Sequence, residues 1–260
     1  MDIINFSNPD WAYLLGVIHG DGHISKRTIQ ISVGHNAPFY ADTLTALITE
    51  LGLSPCLYNT KSCIRIDINS QKHTNDFRKL KNNGMWSIPI DINKSHYVAG
   101  VIDTDGCVSN VSSKQKKMAV IISLKKSGNL LKVGKLLADI GFRDIHVRYR
   151  NAKYKNTEYP VETIVLTGED RMRLFYEKIQ LRHKLKKDKM DAIIQNYDTN
   201  KSLSRIIAEQ LKIAPLSIPE IMAKFNLNKK QADSVLQNLR NQYQIQTIPP
   251  VPSYTSYKII

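Results

Sequence analysis

Two segments of the chain carry residues whose types and spacing could do chemistry together. Leu14-Leu15-Gly16-Val17-Ile18-His19-Gly20-Asp21-Gly22 recurs 84 residues later as Val98-Ala99-Gly100-Val101-Ile102-Asp103-Thr104-Asp105-Gly106. Each copy reads as an apolar helix that ends in Asp-Gly. Gly16 and Gly20 are four apart, as are Gly100 and Thr104, so each pair lies on one helical face. Glycine inside a helix costs about 0.5–1 kcal/mol relative to alanine. Small residues repeated on a stripe therefore need a packing reason, and two helices laid backbone to backbone supply it. Asp21 and Asp105 would each sit at a helix C-terminus, against the dipole, at a cost of about 0.3–1 kcal/mol. If the helices pair in parallel, the two carboxylates approach and repel. A divalent cation between them relieves both problems, and carboxylates holding hard cations suit phosphodiester hydrolysis. One Asp-Gly is most simply a turn; two after matched apolar helices predict a shared site.

The elements that must position these aspartates repeat with them. Each copy is followed by a polar stretch, Gly22–Lys26 or Gly106–Asn110, and then by an apolar-alternating run, Ile29–Val33 or Val120–Leu124. A helix comes next, Ala41–Gly52 or Asn129–Gly141, then two strands and a last helix. Period-two patterns set the strand faces. Ile64, Ile66 and Ile68 oppose Arg65, Asp67 and Asn69; Ile145, Val147 and Tyr149 oppose His146, Arg148 and Arg150. Each strand is expected to bury one face and offer the other. The unit is α-β-β-α-β-β-α, the units span 1–94 and 95–198, and they are expected to share a core. Residues 199–260 have another texture. Leu203–Lys212 reads as a helix, and Ser217-Ile218-Pro219-Glu220 as the capped start of another over Ile218–Phe225. A turn at Asn226–Asn228, a helix over Lys229–Tyr243, and strands Gln244–Ile248 and Tyr254–Ile260 around a Pro249-Pro250 loop follow. The whole predicts an α+β chain: two pseudo-symmetric repeats forming a β-saddle, plus a winged helix-turn-helix at 199–260. A small helical appendage packed on the core is the alternative for the tail.

Lys and Arg number 37 and Asp and Glu 23, a net charge of +14. The excess is +1 over residues 1–97, +8 over 98–198 and +5 over 199–260. A polyanion is the natural partner, nucleic acid before a membrane surface, since no long basic amphipathic helix stands out. No run approaches the length of a membrane span. The N-terminal stretch carries Asp2 and no basic residue, which does not predict a signal peptide. Cys56, Cys63 and Cys107 form no metal or disulfide pattern, so a reducing compartment is expected: cytoplasm or nucleoid, or an organelle if the gene is organellar.

The paired nonapeptides resemble the signature of the LAGLIDADG homing endonucleases in their single-chain, two-motif form. That resemblance implies motif helices at the interface between repeats, and in each repeat a saddle of antiparallel strands lying in the DNA major groove. It implies Mg²⁺ held by the last acidic residue of each motif and the preceding carbonyl, here Asp21 with Gly20 and Asp105 with Thr104. Both strands of double-stranded DNA would be cut across the minor groove, leaving short 3′ overhangs, by a monomer with internal pseudo-twofold symmetry. His19 stands where the family carries its first acidic residue. A structural role is expected there; decay of the first half-site, to a nickase or a binding protein, is the other reading. Family members also place basic or polar groups near the metals. At the end of the second strand these would be Lys125 or Lys126, and His35 or Asn36. A lysine just before the last helix would be Lys186, with Lys184 next, and repeat one shows no clean counterpart near Met85-Trp86-Ser87. The implied catalytic set is Asp21, Asp105, Lys186 and Lys125.

DNA contacts are expected from the outward strand faces. In repeat one these are Ser25, Arg27, Gln30, Ser32, Tyr58, Lys61, Arg65, Asp67 and Asn69. In repeat two they are Ser109, Lys114, Lys116, Ser123, His146, Arg148, Arg150, Lys153 and Lys155. The tail would add Lys229, Lys230 and Arg240. Arginine can read guanine edges, whereas lysine more often meets phosphate. The chain ends without the His-Asn of an intein, so a free-standing or intron-encoded protein is expected. A non-cleaving DNA-binding regulator and an RNA maturase are the alternatives on the same scaffold.

Overall fold

Asn8 begins the first helix: its side chain accepts from the backbone N–H groups of Asp10 (2.8 Å) and Trp11 (3.3 Å), and Pro9 follows at the first helical position. The computed structural model describes residues 4–110, 118–154, 157–242, 245–251 and 254–259. The first repeat runs α1 (Pro9–Gly20), β1 (Gly22–Ile24), β2 (Ile29–Val33), α2 (Pro38–Glu50), β3 (Pro55–Asn59), β4 (Ile64–Ile68) and α3 (Gln71–Leu80). A short hairpin of β5 (Lys81–Asn82) and β6 (Met85–Trp86) links it to the second repeat. That repeat comprises α4 (Lys94–Asp105), β7 (Gly106–Asn110), β8 (Met118–Lys125), α5 (Asn129–Ile140), β9 (Val147–Tyr154), β10 (Thr157–Thr167) and α6 (Glu169–Lys178). The expected α-β-β-α-β-β-α order is present in both.

Both repeats build the same antiparallel sheet, β1-β2-β4-β3 and β7-β8-β10-β9. The registers coincide at the motif ends, where Gly22 pairs with Ile31 and Gly106 with Ile122. In the first sheet, cross-strand rows place Ser32, Arg65 and Tyr58 together, and Gln30, Asp67 and Cys56 together, on the face opposite the buried isoleucines. In the second, Ser123, Thr163 and Arg148 form one row and Lys125, Val161 and Arg150 the next. One expectation fails here. Tyr149 alternates toward the helix side but is 57% exposed, with Lys126 over its ring at 5.4 Å. β9 is an edge strand with a single neighbour, so alternation sets its direction without burying it.

α1 and α4 form the centre. Tyr13, Leu14, Leu15, Val17 and Ile18 on one, and Tyr97, Val98, Val101 and Ile102 on the other, are fully buried. Each such side chain contributes about 1.5–3 kcal/mol. Helices apolar all round must be buried on every side, and here each is flanked by its partner and by its own repeat. A Cβ at Gly16 would lie 2.2 Å from Tyr97 O, and one at Gly100 would lie 2.3 Å from Tyr13 O. The two backbones therefore touch at matched positions and run in the same direction.

The chain divides into two compact units, Met1–Ile193 and Ile194–Ile260. The division falls inside α7 (Lys184–Ile213), a 30-residue helix. The sequence suggested a separate helix at Leu203–Lys212. No proline or glycine interrupts residues 184–213, so the helix has no stop before Ile213. In the second unit β11 (Leu216–Ser217), α8 (Ile218–Phe225), α9 (Lys229–Gln242), β12 (Ile245–Val251) and β13 (Tyr254–Ile259) follow, with sheet order β11-β13-β12. The Ser217–Glu220 capping box starts α8 as expected. Ile207, Ala208, Leu211 and Ile221 pack with Ala232, Val235, Leu236 and Leu239 of α9 as its core. Pro249 and Pro250 lie within β12 and not in a loop. Pairing breaks register between Ile248 and Val251, and on an edge strand their missing N–H groups cost little.

Two glycine substitutions of the same chemistry should have opposite signs. Gly100→Ala forces a methyl into Tyr13 O and should cost about 1–3 kcal/mol or more. Gly134→Ala, in α5, meets Ile145 and Ile164 only at 3.5 Å and should be neutral or stabilising by up to about 1 kcal/mol. Denaturant unfolding of both variants measures this; equal effects would contradict the contact at the helix crossing.

Candidate functional site

Asp21 caps the C-terminus of α1 and Asp105 is the last residue of α4. Parallel packing brings these ends together. A Cβ at Gly20 would lie 2.1 Å from Thr104 Oγ1 and 2.8 Å from Asp105 Oδ2, so the glycine makes room for the other repeat's acid. The carboxyl of Asp105 is pushed up to about 7, first by burial and then by the charge of Asp21. Asp21 keeps solvent contact, yet loss of solvation among its crowded neighbours raises it as well.

Two lysines hold the helix ends. Lys186 Nζ donates to the carbonyls of Ile102 (2.8 Å), Asp103 (2.7 Å) and Thr104 (3.3 Å). Lys81 Nζ donates to those of Ile18 (2.8 Å), His19 (2.9 Å), Gly20 (3.5 Å) and Gly22 (2.6 Å). Each ammonium satisfies the orphan carbonyls of one motif helix and offsets the acid placed there. Burial lowers both amines, Lys81 to about 8; the charges of Asp105 and Asp21 oppose this at Lys81, and those of Asp103, Asp21 and Asp105 oppose it at Lys186. The sequence put Lys186 just before the last helix of its repeat; it lies instead in the first turn of α7, beside the end of α4. Lys81 is the counterpart that sequence reading missed, sought near Met85-Trp86-Ser87. Its signal was position: it directly follows the third helix of its repeat, as Lys186 follows that of the other across a short connection.

Lys125 does not join this group. It is exposed at the far end of β8, three residues past the strand position paired with Gly106, or about 10 Å along the strand. It shares the outward row of Val161 and Arg150, and the lysines acting on the aspartates are Lys81 and Lys186. His35 is likewise engaged elsewhere, with Nε2 at 2.9 Å from Thr60 O.

His19 is buried and stacked on Trp86 (centroids 5.0 Å apart), with Nδ1 2.8 Å from Tyr97 Oη and Nε2 3.0 Å from Leu80 O. Burial holds its pKa down to about 3, so the ring is neutral. Asp103, 84 residues on, accepts from Tyr13 Oη (2.6 Å) and from the N–H groups of Arg182 (2.7 Å) and His183 (3.1 Å).

The outward faces carry the other candidates. Arg27, Ser32, Lys61, Asn69, His146, Arg148, Arg150 and Lys153 are exposed; Gln30 and Ser123 are half-buried in their rows. Arg65 is paired with Asp67 at 3.0 Å and lies over the Tyr58 ring at 4.9 Å. Ser25 is occupied by the turn to Thr28, accepting from its N–H and donating to its carbonyl. Lys114, Lys116 and Lys155 lie outside the described residues. Lys229, Lys230 and Arg240 are exposed on α9.

A divalent cation fits the donor set. Among the described residues no three His, Cys, Asp or Glu side chains gather to enclose a metal. Mg²⁺ commonly takes one or two carboxylates and completes its shell with water and phosphate oxygens. Asp21 and Asp105, with the carbonyls of Gly20 and Thr104, are of that kind, and burial raises both carboxyls despite the opposing charges of Lys81 and Lys186.

Residues 93–180, from α4 through α6, match the family model of a LAGLIDADG-like domain. No curated protein matches. Among solved structures, the homing endonuclease I-DmoI in complex with DNA and Ca is 17% identical, over 67% of this chain and 91% of that one, with a TM-score of 0.46. The homing endonuclease I-WcaI bound to its DNA recognition sequence is 18% identical over 72% and 88%, with a TM-score of 0.48. Full-length DUF199/WhiA from Thermatoga maritima is 17% identical over 93% of each chain, with a TM-score of 0.46. Among the described residues no helix is long and apolar enough to cross a membrane.

The strained pair has a pH signature. The folded-state pKa of Asp105 lies above its unfolded value of 3.8, so the native state binds the extra proton and loses stability as pH rises toward 7. In metal-free protein Asp105→Asn should be more stable than the wild type by about 1–3 kcal/mol near pH 8 and similar near pH 4. Melting curves across that range, in chelator, test it; parallel profiles would remove the carboxylate conflict.

Proposed function

We propose that this protein is a site-specific, metal-dependent endonuclease that hydrolyses both strands of double-stranded DNA and leaves short 3′ overhangs. The observation that carries the reading is the convergence of Asp21 and Asp105 at the ends of two touching helices, each end held by its own lysine. Bound divalent cations, Mg²⁺ in this reading, would polarise the scissile phosphates and stabilise the leaving oxygens. Asp21 and Asp105, with Gly20 and Thr104 carbonyls, hold them. Lys81 and Lys186 fix the carbonyls and add positive charge where negative charge develops. The outward rows of the two sheets, with Arg65, Arg148 and Arg150, supply base and phosphate contacts in the major groove. The helix-and-hairpin unit at the C-terminus acts as a winged helix, with α9 presenting Lys229, Lys230 and Arg240 to DNA. One chain is sufficient, because it carries both halves of the site.

Incubation with Mg²⁺ and a randomised duplex library tests the reaction. Specific double-strand cuts are expected. Asp21→Asn and Asp105→Asn should each abolish them and keep target affinity within a few-fold. Binding without cutting by the wild type would make the protein a non-cleaving DNA-binding protein. Lys81→Met and Lys186→Met should each slow cleavage far more than they weaken binding.

Removal of residues 199–260 should shorten the protected DNA on one side and flatten the salt dependence, each lost phosphate contact lowering the log–log slope by about 0.9. Footprinting and salt titration measure both. An unchanged footprint in folded, truncated protein would reduce the unit to a packing element.

A further inference from the structure

The two halves use opposite hydrogen-bond polarity at one matched position. On the second side Asp103 faces donors, the N–H groups of Arg182 and His183, in the segment that leads into Lys186. On the first side the corresponding segment presents an acceptor, the carbonyl of Leu80, immediately before Lys81. That carbonyl already accepts from Ser87 N–H (2.7 Å) across the β5–β6 hairpin and has one lone pair left. A carboxylate in place of His19 would meet it oxygen to oxygen. The imidazole instead donates from Nε2–H to Leu80 O, and Nδ1 then accepts from Tyr97 Oη. The ring is stacked on Trp86 of the same hairpin, so it grips the turn by bond and by face.

We propose that His19 is a positioning residue for Lys81: its bond to the Leu80 carbonyl sets the start of the β5–β6 hairpin, so that the Lys81 ammonium reaches the carbonyls of Ile18, His19 and Gly20 at the end of α1 and that of Gly22 at the start of β1. Histidine in the first motif is then a requirement of this half and not a decayed acid. Its consequence for cleavage rests on the nuclease reading; the positioning itself does not.

Trace acetylation of the full-length protein with acetic anhydride, read by peptide mass spectrometry, reports the accessibility of each lysine. Lys186 serves as an internal control within the same molecule, and no DNA is needed. Gln at position 19 can reach Leu80 O with its amide N–H, whereas the shorter Asn reaches only Tyr97. Both lose the stack on Trp86, so their difference isolates the bond. His19→Asn is expected to raise Lys81 labelling several-fold with Lys186 unchanged, and His19→Gln to keep Lys81 protected. His19→Asp should behave as Asn does. Protected Lys81 in folded His19→Asn or His19→Asp protein would overturn the proposal. So would a joint rise at Lys81 and Lys186, which marks general loosening of the interface. If His19→Asn and His19→Asp do not fold, His19→Gln decides alone: protection supports the proposal and exposure defeats it.

Discussion

The contact between the backbones of α1 and α4 is the constraint on which the rest of this structure depends. At Gly16 and Gly100 neither helix has room for one more carbon atom. That proximity carries the two C-terminal turns to the same place, and it does so for any sequence that keeps small residues on the facing stripe. The sheets, the hairpin and the lysines are arranged around helix ends whose separation is already determined. Because β1 and β7 start at the residue after each aspartate or directly at the helix end, the same crossing also sets where the two outward faces begin.

Placing acids at helix C-termini opposes the dipole, and pairing them adds repulsion. The fold answers with local countercharge rather than by separating the acids. Each lysine saturates carbonyls that the helix geometry leaves without partners, and in doing so becomes partly desolvated itself. The result is a cluster of two acids and two amines, all displaced from their ordinary protonation behaviour, that is neutral in sum and poorly solvated. In the proposed reaction the two carboxylates would take up a divalent cation, which would supply charge stabilisation at the phosphate.

Much of this was legible in the sequence because it follows from local periodicity. The nonapeptide repeat gave the paired helices, and alternation in Ile64–Ile68 and Val120–Leu124 gave the strands and their faces. The capping box at Ser217 marked α8 to the residue. What escaped notice depends on contacts between segments far apart in the chain. Lys81 lies 60 residues after Asp21, while Lys186 lies 81 after Asp105, so the repeat interval points to no lysine. Lys125 looked suitable from its place at a strand end, but the register carries that end away from the helix termini. Tyr149 alternated correctly and stayed exposed, since exposure depends on what lies beside an edge strand. Pro249 and Pro250 read as a loop because proline is rare in strands; an edge with broken register accommodates both.

The tyrosines facing His19 and Asp103 carry a consequence for how the halves relate as modules. Tyr97 and Tyr13 each reach across the interface, and each hydroxyl can donate whether its partner is an imidazole nitrogen or a carboxylate oxygen. The mismatch in polarity is resolved within each half, between His19 and Leu80 or between Asp103 and the residues 182–183. Across the interface, both halves therefore speak the same chemical language. At this position a first half could pair with a copy of itself, and a second half likewise, with the tyrosine hydroxyl still donating across the interface. Divergence after a duplication could proceed on one side of the molecule with no compensating change demanded on the other.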